Sequence, residues 1–574
     1  MGCLNWLGRL LERTESMHGK YFPIGVIGIF LVPLLGVLQA EYRQAIVINE
    51  FMASNGSTLQ DEQHQYDDWI ELYNPTDVAV DVGGMYLTDD RSRPMKWQVP
   101  SHVPDETTLN PRGFLLLWAD NEINGSGLHA GFGLRAAGEE IALYDVDGQI
   151  RVDLIAFPEQ SRDVSYGRYP DGQTAWCFMS EASPGSVNEQ THEGIVDTVR
   201  FSQVRGFYHD PITVTLTTPT PGATIYYSLD GTSPIQVATR GQTYVGMPYS
   251  GPLTIDRTTC VTAVATKAHW KASPMVTSTY VYVEDVLRQS LPGKGWPSSN
   301  VNGQMMNYGM DPEVVNDPRY VDLMQESLKA VASIALTTDI KHLFDPAEGI
   351  YVNARSALGR AWERPVSVEL IYPDGQEGFQ INAGLRIRGG FSRIPSNPKH
   401  AFRLFFRSEY GAAQLEYPLF GDDGVAVFDN MDLRTSQNYS WAYQGDRRNT
   451  MVREVFSRDV QRDMGHPHTR SRYYHLYLNG QYWGLYQTQE RSEASYAATY
   501  LGGRQEDYDV IKTTGGNPGY TIEATDGSMD AWRRVWEMAP RPALRRMNAT
   551  SGCRGSMWTA RAILSTRNSL ILRI

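Results

Sequence analysis

Only four cysteines occur in the 574 residues (Cys3, Cys177, Cys260 and Cys553), and no two share a CxxC spacing. A zinc ribbon and a disulfide-built fold are thereby excluded, while a single Cys177–Cys260 bridge stays open. A basic excess is also missing. Asp and Glu number 65 against 52 Lys and Arg, for a net charge of −13, which argues against a nucleic-acid backbone as partner. There is no EF-hand loop; Asp145-Val146-Asp147-Gly148 is a fragment of one and reads as a turn. Tyr21–Ala40 is a long uncharged run that is apolar apart from Gln39 and preceded by Arg9, Arg13 and Lys20. This is the order of a signal peptide or an uncleaved anchor. The chain is therefore expected to be exported, with membrane contact through residues 21–40 and an extracellular or cell-surface location. Pro23 and Pro33 weaken the run as a spanning helix, although it is about long enough. A start at Met17 would leave the short basic leader that export signals favour. The end of the chain lacks acid: Met538–Ile574 carries seven arginines and no Asp, Glu or Lys. The change falls at Met538-Ala539-Pro540, inside an expected helix. It reads as a shift of reading frame that truncates the last domain.

What is present is mostly strand-forming sequence, cut by 52 glycines and 31 prolines. Residues 46–190 hold short alternating runs such as IVINEFMASN, DDWIELYNP, GFLLLWAD and GEEIALYD, a pattern that predicts an all-β sandwich. Glu50, Asp67, Asp68 and Glu71 are its acidic group. They are expected to be a solvated sandwich edge, with metal binding as the second reading. Residues 198–284 predict a smaller β-sandwich, in which Ile225, Tyr227 and Leu229 alternate before Asp230-Gly231. Its tyrosines suit cross-strand pairs and, less well, a sugar-stacking face. Residues 285–330 are expected to be a linker that lets the next domain move, followed by a helix over Arg319–Ala330.

The third domain, 331–537, centres on Asn479-Gly480, which suits a type I′ turn between two aromatic-rich strands. Tyr474, Leu476 and Leu478 share one face; Tyr473, His475 and Tyr477 share the other. Upstream, Asn449-Thr450 offers a helix cap. Met451, Val452, Val455, Phe456, Val460 and Met464 then recur at helical spacing until Gly465 and Pro467. His466-Pro467-His468 reads as the turn ending that helix. Residues 384–390 and 398–404 predict two further strands.

The runs GLRIRGGFSR…NPKHAFRLFF, RNTMVREVFSRDV and YLNGQYWGLYQTQE resemble the spore coat protein H (CotH) family of atypical protein kinases. The first domain resembles the lamin tail domain, through Asn49-Glu50, Trp69–Asn74, Leu128-His129 and Gly138–Ile141. The element ATIYYSLDGTSP resembles the C-terminal sandwich of chitobiase-type enzymes. Together these imply two all-β immunoglobulin-like sandwiches followed by an incomplete α+β kinase-like N-lobe. The kinase resemblance implies ATP and Mg2+. A kinase needs a cation on the phosphates, an acid on the metal and an Asp at the substrate hydroxyl. Lys399, beside a Gly-rich turn, and Lys512 are the candidate phosphate cations, with Lys399 an edge lysine otherwise. Arg386, Arg388 and Arg403 would add positive field. Glu454 would pair with a lysine or else face water, and Glu490 falls where the family's hinge would begin. No catalytic Asp or metal-binding Asp motif is found, so the chain as it stands is expected not to transfer phosphate. The alternative reading is a surface adhesion or carbohydrate-binding protein with a non-catalytic kinase-like part. Either way the expected partner is an extracellular protein or a polysaccharide.

Overall fold

The computed structural model describes residues 40–538, apart from 57, 64, 121–125, 180, 190, 239–240, 294, 436–449 and 517–518, together with 562–565 and 569–573. The expected export segment and most of the arginine-rich tail lie outside the described residues. No described helix is long and apolar enough to cross a membrane. The chain forms two compact units, Met1–Gly194 and Ile195–Ile574.

The first unit is the expected sandwich. A seven-stranded sheet is built around Val47–Met52 and Asp68–Tyr73, and a four-stranded sheet contains Glu140–Tyr144. Ile48, Phe51, Ile70, Leu117, Ile141 and Leu143 fill the space between them. The acidic group is not a solvated edge, nor does it gather around an ion. Glu50 is buried and accepts hydrogen bonds from Ser165 Oγ (2.5 Å) and from Ser183 N and Oγ (3.1 and 3.0 Å). Glu71 is equally buried and accepts from Asn49 Nδ2 (3.1 Å) and Gly185 N (2.6 Å). Burial pushes its carboxyl up to about 8. Asp68 accepts from Asn55 N at 3.1 Å. Alternation placed these side chains correctly on strands, but the serine and glycine donors that satisfy them come from residues 165–185, far away in sequence. Neither Cys177 nor Cys260 is in a disulfide.

The second unit joins the smaller sandwich to a barrel. Three sandwich strands matter here: β1 (Thr224–Ser228), β2 (Thr259–Thr266) and β3 (Val276–Val281). Tyr226 stacks on Tyr244 at 4.7 Å and Tyr227 meets Tyr249 edge-on at 6.2 Å, so these tyrosines are partnered within the module. The barrel comprises β4 (Ser333–Thr337), β5 (Arg364–Ile371), β6 (Gln380–Arg388), β7 (Ala401–Phe405), β8 (Asn430–Thr435), β9 (Tyr473–Leu478) and β10 (Gln481–Gln489). They close in the order β4-β5-β6-β7-β8-β10-β9, with β9 returning in parallel to β4. Closure leaves no free edge. Asn479 and Gly480 have φ of 45° and 79°, the left-handed pair a type I′ turn requires. Tyr474, Leu476 and Leu478 point into the barrel with Leu385, Phe402, Leu433 and Trp483.

Tyr477, on the opposite face of β9, is also fully buried. It packs with Ala335 and Ile371 of the barrel and Val281, Val283 and Val286 of the sandwich side. The sandwich thus covers one wall of the barrel. Asn382 Nδ2 donates to Met275 O (2.9 Å), Asn479 Nδ2 to Asp230 O (3.1 Å) and Ser233 N to Asp339 Oδ1 (2.6 Å).

The expected mobile linker is instead part of this wall. Gln289 donates to Tyr482 O (2.9 Å) and accepts from Tyr482 N (3.0 Å), and Trp296 and Tyr308 pack on the barrel core. Glycines and prolines were read as freedom, while the aromatics between them were the anchors. The helix expected over Arg319–Ala330 is reduced to the turns Val321–Leu323 and Met324–Ser327, which are largely solvent-exposed. With no face to bury, a longer helix gains nothing.

Helix α1 (Arg453–Asp463) lies between β8 and β9. Val452 occupies its cap position without a side-chain bond, so Thr450 is not the cap, and Asn449 lies outside the described residues. Its apolar stripe is turned outward: Phe456 is 65% exposed and Met464 65%. The buried residue is Arg458, 1% exposed. His466 N bonds back to Gln461 O at 3.0 Å, making the expected terminal turn. Beyond the barrel follow α2 (Ala494–Leu501), the hairpin β11 (Tyr508–Gly516) and β12 (Gly519–Asp526), and α3 (Asp530–Met538).

Candidate functional site

Strands β6, β7 and β8 lie side by side, and their inward residues Leu385, Ile387, Phe402, Leu404, Met431 and Leu433 are core. Strict alternation sends Arg386, Arg388, Arg403, Asp432 and Arg434 to the outer face. Register sets Arg403 opposite Asp432. The Asp432 carboxylate, almost fully buried, accepts from Arg403 Nε (2.5 Å) and Nη2 (3.1 Å) and from Arg388 Nε (2.7 Å). Burial alone would raise its pKa. The two guanidinium groups outweigh that and hold it well below the usual carboxylate range.

Two residues along β8, Arg434 donates to Gln489 Oε1 (2.8 Å) and pairs with Glu454 of α1. One turn further along α1, Arg458 Nη1 reaches Thr469 Oγ1 at 3.4 Å. Its Nε and Nη2 are buried and have no hydrogen-bond partner among the described residues. Burial and the nearby Arg388 bring Arg434 down to about 10, and burial lowers Arg458 as well. The cluster holds four guanidinium groups against two carboxylates, an excess of two positive charges. Both carboxylates are engaged by arginine. The donor set therefore fits a phosphate group, and among the described residues of the cluster no carboxylate is left for a Mg2+ ion.

Of the residues singled out in the sequence, Arg388, Arg403 and Glu454 belong to this cluster. Arg386 instead pairs with the buried Glu363, which also accepts from Arg407 Nε (3.1 Å) and Tyr410 Oη (3.2 Å). Lys399 lies elsewhere on the barrel, its ammonium 3.7 Å from the centre of the Trp483 ring and donating to Asn307 O at 2.8 Å. It is not an edge lysine: burial brings it down to about 7. Glu490 is a clamp, accepting from Arg470 N (2.8 Å), Arg470 Nη1 (3.1 Å) and Tyr500 Oη (2.5 Å). Lys512 sits half-exposed on β11, 3.7 Å from Glu523 of β12, in a separate sheet. Glu454 is paired rather than solvated. Asp432, Arg434 and Arg458 escaped the sequence reading. Alternating charges on three adjacent strands were the available signal for the first two, whereas nothing local marks a buried helical arginine.

One group of metal-ligand type occurs among the described residues, in the first unit: Asp61, Asp120 and His129. His129 spends Nδ1 on Asp120 (2.5 Å) and Nε2 on Ser126 O (2.8 Å), so both ring nitrogens are satisfied.

Three family models match the chain in order: Lamin Tail Domain over residues 39–158, Chitobiase/beta-hexosaminidase C-terminal domain over 203–278, and CotH kinase protein over 385–538. No curated protein matches it. The CotH match opens inside β6, so β4 and β5, which close the barrel, precede it.

Proposed function

We propose that this is an exported modular protein of the CotH kinase kind, in which the face beneath α1 receives the phosphates of ATP for protein phosphorylation. The carrying observation is the Arg434–Glu454 pair. In protein kinases a lysine on the third strand pairs with a glutamate on the following helix and orients the phosphates. Here the strands β6, β7 and β8, then α1, then the hairpin β9–β10 follow the same order along the chain. Arg434 on the third of them and Glu454 on the helix occupy those two places. Arginine in place of lysine adds a fork that suits a phosphate. Arg388 and Arg403 extend the positive face. Lys399 and Lys512 lie outside this arrangement.

The Asp and Mg2+-binding acid that transfer requires are not supplied by the cluster, since Asp432 and Glu454 are both spent on arginine. As the chain stands, the expectation is nucleotide binding without phosphotransfer. Export rests on Tyr21–Ala40, which also sets the expected cell-surface location. The test is displacement of a fluorescent ATP analogue from the full chain. Arg434→Ala should weaken binding at least about tenfold, the loss of roughly 1.4 kcal/mol or more expected of a charge-assisted contact. Unchanged affinity would remove the pair from the nucleotide site.

The second reading, a polysaccharide-binding protein, draws on the Tyr226–Tyr244 stack, with Tyr244 exposed on the smaller sandwich. Retention of the chain on a polysaccharide matrix, lost in Tyr244→Ala with ATP binding absent, would favour it.

A further inference from the structure

An arginine side chain buried without partners is costly. Its charged head forgoes water and gains nothing in return unless something else supplies an anion. Arg458 is close to that position: 1% exposed, with Nη1 held only by Thr469 Oγ1 at 3.4 Å and Nε and Nη2 unbonded among the described residues, while Glu454, one turn back on its own helix, is taken by Arg434. Around it the excess of two positive charges equals the charge of one phosphate dianion. A metal ion usually bridges phosphate oxygens to neutralise them in a kinase. Here the neutralising charge is already built into β6, β7, β8 and α1, and no carboxylate of the cluster is left to hold the metal.

We propose that the guanidinium cluster beneath α1 binds a phosphate group directly, with no metal ion bridging it, and that Arg458 is the residue whose charge the phosphate satisfies. The proposal rests on the nucleotide reading only for the source of the phosphate. A nucleotide tail and free inorganic phosphate share this chemistry. In both cases planar forks of Arg458, Arg388 and Arg434 donate to phosphate oxygens, a geometry arginine provides and lysine does not.

The experiment is thermal unfolding of the full chain with inorganic phosphate, tripolyphosphate or ATP, each in EDTA and again with Mg2+. Tripolyphosphate and ATP should raise the melting temperature by several degrees in EDTA, and Mg2+ should add little. Stabilisation that appears only with Mg2+ overturns the proposal and leaves the nucleotide reading standing. Stabilisation by inorganic phosphate or tripolyphosphate but not by ATP upholds the proposal and removes the nucleotide reading. No stabilisation under any condition removes both.

Arg458→Met separates binding from a structural role. It takes away an uncompensated buried charge at similar volume, so the unliganded protein should melt higher than wild type and the phosphate-induced shift should vanish. A lower melting point with the shift retained would make Arg458 structural. Arg458→Lys, which keeps the charge without the fork, covers the case in which methionine prevents folding: it should retain a smaller shift, and a full one would overturn the assignment.

Discussion

Glu369 and Arg458 are the same kind of residue in opposite circumstances. Each is an ionisable side chain buried in the second unit, one on β5 against the sandwich, the other on α1 over the outer face of β6–β8. Glu369 has partners on its carboxylate. It accepts from Thr279 N (3.0 Å) and Thr279 Oγ1 (2.5 Å), and Arg205 Nε stands 3.7 Å away. Arg458 has one weak contact and two idle donors. Both pay for dehydration; Thr279 and Arg205 offset part of it for Glu369, whereas Thr469 offsets little of it for Arg458. A buried charge with its partners in place holds elements together. One without them marks where something else is meant to arrive.

Three experiments press on this contrast beyond those already given. The largest effect should come from Glu369→Ala. Thr279 N would be left without its acceptor, Arg205 without its carboxylate, and a cavity would open in the wall. A loss of about 3 kcal/mol is expected. Calorimetry should show sandwich and barrel still unfolding in one transition. Two separate transitions would mean that the wall does not couple them.

A smaller effect should appear with pH. Burial raises the Glu369 carboxyl above its ordinary 4.5, the nearby Arg205 and Thr279 only partly opposing it. A carboxyl whose folded pKa exceeds its unfolded one contributes stability that is present below about pH 4.5 and lost as pH rises through the folded value. Denaturant titrations should therefore show wild type losing stability on going upward from pH 4.5, relative to Glu369→Gln. A parallel pair of profiles would show that the carboxyl is charged in the fold throughout. The smallest effect should be that of Phe456→Ser. Phe456 is the most prominent apolar residue at helical spacing on α1, yet it faces water, so stability should change by less than about 0.5 kcal/mol. A loss of 2 kcal/mol or more would mean that the stripe is covered in solution.

The sequence carried the local features well. Asn479-Gly480 between alternating aromatics specifies the hairpin almost by itself, and Gly465 with Pro467 specifies where α1 stops. It carried burial poorly wherever charge was involved. Arg388 was visible as a strand arginine, but its partner Asp432 lies 44 residues on, and the register of β7 with β8 brings them together. Glu50 and Glu71 look like surface acids until the Ser165 and Ser183 hydroxyls and Gly185 are folded over them. On α1, period 3.6 was legible, but which side of the helix the barrel would claim was not, because Arg458 is buried in preference to Phe456. Glu454 shares that helix, but the guanidinium groups of Arg388 and Arg434 that line this face arrive from β6 and β8. The setting of Lys399 was illegible for a similar reason: the Trp483 ring beneath it belongs to β10.

The side chain of Gln289 closes both halves of a backbone rung with Tyr482 from a segment that sequence composition marks as a joint. Heredity is constrained by that detail. A recombination breakpoint between residues 290 and 333 would separate Glu369 from Thr279, Tyr477 from Val281 and Tyr482 from Gln289 at one stroke. A transplanted sandwich from another gene would have to bring matching donors or leave the barrel wall bare. The heritable cassette in the second unit is therefore the sandwich and barrel together, and exchange of parts between related genes is expected to fall before Ile195 rather than within the apparent linker.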